Sequence, residues 1–547
     1  MDKKWLEVLQ KEEHYLPLVG VVTVGLAARL VFALFSNICQ NRKESERLKL
    51  EGYKEIPSPS GRYPFFGHML SLGKAPSFKV QKWHQQLGPI IRLDMGVQPW
   101  VLINDPYLAH ELFVRNGINS SDRHKHSYAY WMYSKGGKGM IFNQPGKKWK
   151  STRSAALSIL APKNADQITE SSVSITDNAI KLLKEDTDKE GAISPVRYMK
   201  MATYGTVFKA VFGKDVTSIN DPTLNSLIHI TERSIVYAGA AGDIGAFFPS
   251  LSWINHLSSQ KKAMNDIINE RDKVLEVLIR EAKDGDVKCL TKVAYSIKEE
   301  LGLDEMDLTI LLSRQYPFLD DVFGAGGDTT GMSLTWLFGI LPQYPDVQKK
   351  ICDEVDEFLV KYGSLPSFSS RDEFPYTTAV LRENLRFRSI TNFGIPHFTA
   401  NDVNISGYHI PKDTILISSM HAMHMNSSIY EDPEKFIPER FLGTTKTWSA
   451  SSSGSIKERD IYAFGWGRRI CPGIHLAEMI VFNMCVRVLA QCTIEAPLDA
   501  NGKPEFVDLN NIKTQGIIFG PQDYKRTSSL CCCQCAQLNI RLIQPDN

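Results

Sequence analysis

Charge of one sign is the first thing this chain lacks. Its 63 Lys and Arg stand against 61 Asp and Glu over 547 residues, a net charge of +2. A chain so balanced has no bulk electrostatic pull on nucleic acid, and no nucleic-acid partner is expected. Paired cysteine spacing is missing too. Cys39, Cys289, Cys352, Cys471, Cys485 and Cys492 are scattered singly, which excludes a disulfide framework and fits a reducing, cytosol-facing compartment. No Gly-Lys-Ser/Thr phosphate loop, no flavin or nicotinamide fingerprint and no internal repeat is present. Phosphate-loop chemistry is thereby excluded, and electrons for any redox step must come from a partner. Low complexity is confined to Ser449–Ser455, which reads as an exposed loop. With 43% hydrophobic and 23% charged residues, the chain can bury a large core, and wholesale disorder is ruled out.

One long apolar run is present. Leu16 to Ser36 is interrupted only by Thr23 and Arg29 before its closing serine, and about 20 residues suffice to span a bilayer. Its Leu, Val and Phe residues favour insertion by roughly 4 to 7 kcal/mol, against about 2.5 to 3.5 for Arg29. The segment therefore reads as a transmembrane anchor at 16–36 behind a lumenal stretch at 1–15. A cleaved signal peptide fits less well, because the run starts late and lacks a small-residue cleavage site. Arg42, Lys43, Arg47 and Lys49 follow it, against Lys3, Lys4 and Lys11 before it, which leans towards a cytosolic body. A charged and proline-rich hinge is expected at 37–70. Pro57, Pro59 and Pro64, with Gly61 and Gly67, forbid helix there and give a stiff extended connector.

From 71 to 547 the pattern reads as one large domain, mainly α with small β-sheets. Apolar residues recur at mixed three and four spacing over 165–186, 263–282, 306–340 and 346–361, which predicts long helices. Short alternating pieces at Ile91–Leu93, Trp100–Ile103 and Thr414–Ser418 predict strands. The chemistry concentrates at Phe464-Gly-Trp-Gly467-Arg-Arg469-Ile-Cys471-Pro-Gly473. Glycines let the backbone approach a flat ligand, and Arg469 supplies a cation. A cysteine beside arginines at a helix start is expected to be a stabilised thiolate and a soft metal ligand. A buried structural cysteine is the commoner fate of a lone one.

This segment matches F-x-x-G-x-R-x-C-x-G and resembles the haem-thiolate loop of the cytochrome P450 family. Three further stretches strengthen the resemblance. Ala325-Gly326-Gly327-Asp328-Thr329-Thr330 lies in the 306–340 helix, where each mid-helix glycine costs about 1 kcal/mol relative to alanine. The resemblance implies that these small residues make room for oxygen and that Asp328 and Thr329 relay protons. Glu383 and Arg386 share a helix face; with Arg440 in Pro-Glu-Arg-Phe441 they resemble the family's structural charge network. Trp149 and Arg153 resemble the pair that, in membrane-bound members, binds a haem propionate, and His397 and Arg469 match two further propionate contacts.

The resemblance implies a helical triangular prism enclosing haem b, with Cys471 as axial iron ligand and Phe464 and Gly473 shaping its loop. The implied activity is insertion of one oxygen atom of O2 into a lipophilic small molecule. Electrons would come from NADPH–cytochrome P450 reductase, with cytochrome b5 as a second electron donor. Lys147, Lys148, Lys150 and Arg468 would form a basic docking face. An endoplasmic-reticulum location follows from the anchor. Substrate contacts are expected from Tyr128, Tyr130 and Trp131, from Phe393, and from Ile517 and Phe519, where the family keeps variable loops. The stretches Pro396–Lys412 and Asp432–Phe441 resemble fungal and animal microsomal members, which favours a fungal detoxifying or secondary-metabolic hydroxylase. Two rivals stay open: a haem-thiolate isomerase or dehydratase that does not use O2, and a non-catalytic membrane-anchored haem or metal binder. The tail departs from the family pattern. Asn539–Ile543 reads as a strand displaced by an Arg526–Leu538 insert, an added loop or a retained intron. Its Cys531, Cys532, Cys533 and Cys535 chelate less readily than a C-x-x-C pair, and palmitoylation is the other reading.

Overall fold

The computed structural model describes residues 46–239, 243–248, 251, 259–297, 300 and 318–530. The expected anchor at 16–36, the first turns of the expected 306–340 helix, the four tail cysteines and Asn539–Ile543 lie outside the described residues. Among the described residues no helix is long and apolar enough to cross a membrane.

Long helices form where the apolar spacing predicts them, and several have a local reason to start or stop. Those used below are α1 (Pro76–Leu87), α2 (Lys147–Ile159), α3 (Pro162–Glu190), α4 (Val196–Phe212), α5 (Pro222–Ala238), α6 (Ser259–Asp284), α7 (Phe318–Ile340), α8 (Pro345–Tyr362), α9 (Pro375–Phe387) and α10 (Ile474–Leu489). Proline opens α1, α3, α5, α8 and α9, where its missing N–H costs nothing. Asp221 caps α5 by accepting from the Leu224 N–H at 2.8 Å. Left-handed Gly213 and Gly363 close α4 and α8. Helices α7 and α10 are apolar on nearly every face, and they run through the main core, packed against α3, α4 and α9.

Strands are short: β1 (Ile90–Met95), β2 (Gln98–Ile103), β3 (His397–Phe398), β4 (Val403–Ile405), β5 (Tyr408–Ile410), β6 (Ile415–Ser418), β7 (Cys492–Glu495), β8 (Ile512–Gln515), β9 (Ile518–Pro521) and β10 (Thr527–Leu530). One sheet has the order β1-β2-β6-β3. Within it β1 pairs antiparallel with β2, β2 parallel with β6, and β3 antiparallel with β6 through His397 and Leu416. A second core, with Phe113, Leu416, Tyr462 and Trp466, joins this sheet to the segment before Cys471.

The proline-rich connector is tied to its neighbours, and two other expectations change. Lys54 and Arg92 donate backbone N–H bonds to Gly407 (2.8 Å) and Pro57 (2.9 Å), and the His68 ring bonds the Pro59 carbonyl, so the stretch is laid along β1. Ser449–Ser455 is no exposed loop: Trp448–Ser453 is a short helix with Ser451 and Ser452 buried, and Arg382 Nη1 donates to Ser451 Oγ at 2.9 Å. Arg526–Leu530, placed in an insert by its sequence, is part of the sheet structure. Thr527–Leu530 pairs with Cys492–Glu495, and buried Arg526 bonds the carbonyls that end α7.

Candidate functional site

The loop before α10 is held open by its neighbours. Gly467 has φ 52°, and a Cβ there would stand 2.3 Å from the Phe113 carbonyl oxygen, so only glycine fits. Trp466 donates to Ser418 Oγ at 2.9 Å from β6, while the Arg459 guanidinium lies 3.8 Å over its ring. The Cys471 N–H closes the turn on the Phe464 carbonyl at 2.9 Å. Together these aim Cys471 into a cavity of about 320 Å³ whose walls include α5, α7, α9, α10 and the β8–β9 hairpin. Burial pushes the Cys471 thiol up, while the Gly473 N–H and Arg153 pull it down; a coordinated cation would ionise it.

Three arginines and a histidine ring the same cavity. Arg123, Arg153, Arg469 and His397 all line it, and none of the three arginines has a salt bridge among the described residues. Arg469 donates to the carbonyls of Ser121 (2.9 Å), Met140 (3.0 Å) and Asn143 (2.6 Å). Arg123 donates to Ile395 and Pro396, both at 2.7 Å, and Arg153 to Ile470. Burial and mutual repulsion push Arg469 down to about 8, and burial with Arg153 pushes Arg123 down to about 9. Such a cluster is stable only against an anion. His397 sits on β3 with Nδ1–H donating to Ser120 at 2.8 Å, and burial among arginines keeps it neutral. Trp149 does not reach the cavity. Its indole donates to Met140 at 3.1 Å and stacks under the guanidinium carbons of Arg469 (4.5 Å) and Arg153 (5.8 Å). Arg123 was missed by the sequence reading, because nothing in its local sequence separates it from an exposed arginine.

Helix α7 crosses the opposite wall. Ala325, Gly326, Thr329 and Thr330 line the cavity, and the Thr329 hydroxyl donates back to Ala325 at 2.6 Å. Asp328 turns the other way, towards α4, and is buried at 1% exposure. Gly327 does not make room for a ligand either. A Cβ there would lie 2.2 to 2.5 Å from three ring atoms of Tyr204; the glycine lets an α4 tyrosine seat on α7.

The outer part of the cavity is apolar, with Tyr133, Phe142, Ile235, Ile390, Phe393 and Ile517 on its walls. The predicted contacts divide. Phe393 and Ile517 line it. The latter is at the tip of the β8–β9 turn, where Gly516 (φ 59°) would place a Cβ 2.0 Å from the Ile235 carbonyl. Phe519 faces away from the cavity, against Phe393 at 6.1 Å between ring centroids. Tyr128 is fully buried and donates to Ser234 Oγ at 3.0 Å. Tyr130 packs over Gly137, and Trp131 is 57% exposed. These three follow a single π-helical turn, Ser127–Tyr133, which delivers only its last tyrosine to the wall.

Glu383 and Arg386 form a fully buried bidentate pair, 2.6 and 2.7 Å. Arg440 Nε reaches Glu383 at 3.4 Å, and Arg386 also donates to His424, Pro433 and Lys435. Lys147, Lys148 and Lys150 are exposed on α2, and Arg468 lies 5.5 Å over the Trp149 ring beside them.

Few groups suit such a cavity. The sulfur calls for a soft metal and the guanidiniums for a flat frame with carboxylates, a pairing met by haem bound through a cysteine. The sequence model of the family described as Cytochrome P450 matches residues 57–517. Cytochrome P450 monooxygenase 58 of Postia placenta is 27% identical over 479 residues, 86% of this chain and 87% of its own length. Human cytochrome P450 1A1 is 25% identical over 539 residues, 96% and 99% of the two chains. A zebrafish cytochrome P450 structure with progesterone superposes at a TM-score of 0.68 and 24% identity, covering 83% of this chain and 99% of its own. The chain belongs to the cytochrome P450 family. It is an oxidoreductase of the monooxygenase class that binds thiolate-ligated haem b.

Proposed function

We propose that this P450 hydroxylates a lipophilic small molecule, inserting one oxygen atom of O2 into a C–H bond while the other leaves as water. The observation that carries the reading is that Cys471 and Thr329 line one cavity whose walls are mainly apolar. Bound haem supplies the activation of dioxygen at its iron. The chain does the rest. Cys471 ligates the metal, Phe464 and Gly473 shape its loop, and Arg123, Arg153, Arg469 and His397 hold the propionates, with Trp149 buttressing the arginines from behind. The Thr329 hydroxyl would turn from the Ala325 carbonyl to offer its proton at the cavity wall, with Asp328 behind it as the acid that resupplies it. Phe393, Ile517, Tyr133 and Phe142 exclude water and orient the substrate. Glu383, Arg386 and Arg440 tie the 424–440 stretch to α9.

Electrons come from NADPH through a flavoprotein reductase, with cytochrome b5 as a second donor, docking on Lys147, Lys148, Lys150 and Arg468. Attachment to the endoplasmic-reticulum membrane is supported by the apolar 16–36 run. It is supported also by Tyr63, Phe65, Phe66 and Leu70, exposed at 44–58% on one stretch of chain. Fungal relatives favour a detoxifying or secondary-metabolic hydroxylation. The test is turnover under 18O2 with purified reductase and a lipophilic panel. One labelled oxygen atom in the product is expected. Product without label points to an isomerase or dehydratase. Retention of the red-shifted carbon-monoxide band and of turnover in Cys471→Ala overturns the site itself.

A further inference from the structure

Tyr128 does not line the cavity, yet it is bonded to a group that does. Its hydroxyl donates to Ser234 Oγ of α5 at 3.0 Å, and Ser234 lines the cavity. Tyr128 is held on several sides. It packs with Tyr133, Met264 and Ile268, and its ring centroid stands 6.1 Å from that of Tyr133 and 5.7 Å from that of Tyr237. Its N–H donates to His126 Nδ1 at 3.2 Å. A hydroxyl carries one proton and two lone pairs, and on a helix the proton commonly goes back to the carbonyl four residues earlier. Two other cavity-lining hydroxyls do this: Thr231 donates to Leu227 at 2.9 Å and Thr329 to Ala325 at 2.6 Å. Ser234 does not. Its oxygen accepts from Tyr128, and its own proton reaches no acceptor among the described residues. Ile235 and Ala238, on the same wall, are apolar.

We propose that Ser234 is a specificity-determining residue that donates its hydroxyl proton to a neutral oxygen acceptor of the substrate, a ketone or an ether, and that Tyr128 is the residue positioning it. A buried donor is costly while unmade, and an apolar wall leaves the substrate to bring the acceptor. The bond from Tyr128 occupies the serine oxygen and polarises its O–H outward, so the serine gives a stronger hydrogen bond than it would alone. The acceptor is neutral because Asp321 of α7 lines the same cavity. That carboxyl accepts the Met140 and Ile141 N–H groups at 3.0 and 3.3 Å and the Tyr133 hydroxyl at 3.4 Å, bonds that favour its ionised form and make the cavity hostile to a second anion. A bare hydrocarbon would leave the Ser234 proton unpaired and lose affinity accordingly. The inference deepens the hydroxylation reading and rests on it in taking this cavity as the substrate's.

The experiment measures holoenzyme affinities, from binding spectra, for matched pairs that differ by one carbonyl. The pairs are 4-phenylcyclohexanone with phenylcyclohexane, fluorenone with fluorene, and androstan-3-one with androstane. A ketone preference of about two- to tenfold is expected in at least one pair. Ser234→Ala should abolish it by weakening the ketone alone, whereas Ser234→Thr, which keeps the hydroxyl, should retain it. Tyr128→Phe should reduce the preference, because the released serine hydroxyl can turn back to the Ile230 carbonyl. The carbon-monoxide band reports that each variant still holds its haem. A merely structural role for either residue would weaken both members of a pair together, and that result overturns the inference. So does equal affinity within every pair in the parent, or a preference that survives Ser234→Ala. The oxygenation reading is decided separately by the 18O2 label, so the two can fail independently.

Discussion

Replacing Gly327 by alanine separates what helix propensity demands from what packing demands. Mid-helix Gly→Ala should stabilise a helix by about 1 kcal/mol. At this position the added Cβ meets Cδ1, Cε1 and Cγ of Tyr204 at 2.2, 2.4 and 2.5 Å. The ring has no retreat. It is fully buried, tilted against Phe323 with 5.0 Å between centroids, and carried by α4, which lies along α7. Overpacking of this kind costs roughly 1 to 3 kcal/mol, so Gly327→Ala should come out neutral to about 2 kcal/mol destabilising. In a Tyr204→Ala background the obstruction is gone, and the same change should stabilise by about 1 kcal/mol. The cycle of single and double variants, read from urea midpoints at constant m-value, should therefore show a coupling of roughly 1 to 3 kcal/mol. Gly327→Ala more stable than the parent, with no coupling to position 204, would refute the seating of Tyr204 on α7.

Two further outcomes are expected. Phe393→Ala should weaken the binding spectra of lipophilic ligands several-fold, whereas Trp131→Ala should leave them unchanged, because the first side chain lines the cavity and the second faces solvent. His84 is buried and neutral, its Nδ1–H given to Gly88 and its Nε2 accepting from Ser419, each at 3.0 Å. Burial lowers it from 6.5 to about 4. The unfolded chain binds the proton first, so stability is full above pH 6.5 and falls between 6.5 and about 4. The loss is about 3 kcal/mol at most, and urea midpoints across that range should be flatter for His84→Gln.

The parts of the site legible in the sequence are those made of neighbours along the chain. The Cys471 loop, the Thr329 helix face and the Glu383–Arg386 pair are each fixed by spacing within one element, so residue order carries them. The same holds for the long helices, whose period of 3.6 is written in the chain. What spacing cannot say is which way a side chain turns once a second element packs on the first. Tyr128, Tyr130 and Trp131 are expected at the substrate because they stand where the family keeps a variable loop. A π-helical turn sends them instead to a buried hydroxyl pair, a glycine and the solvent. Trp149 supports arginines rather than the ligand for the same reason, since Met140 takes its N–H. Arg123 joins the cation ring through the Ile141 carbonyl and two carbonyls some 270 positions away along the chain.

The segment laid along β1 has a mechanical consequence. A chain stitched to the β4–β5 hairpin at Lys54 and to β1 at Pro57 cannot serve as a swivel. On the proposed membrane attachment, any pivot between a bilayer and this enzyme lies upstream of it. Cutting the Pro57 and Pro59 carbonyl bonds would free the connector from the body while leaving every cavity-lining group in place.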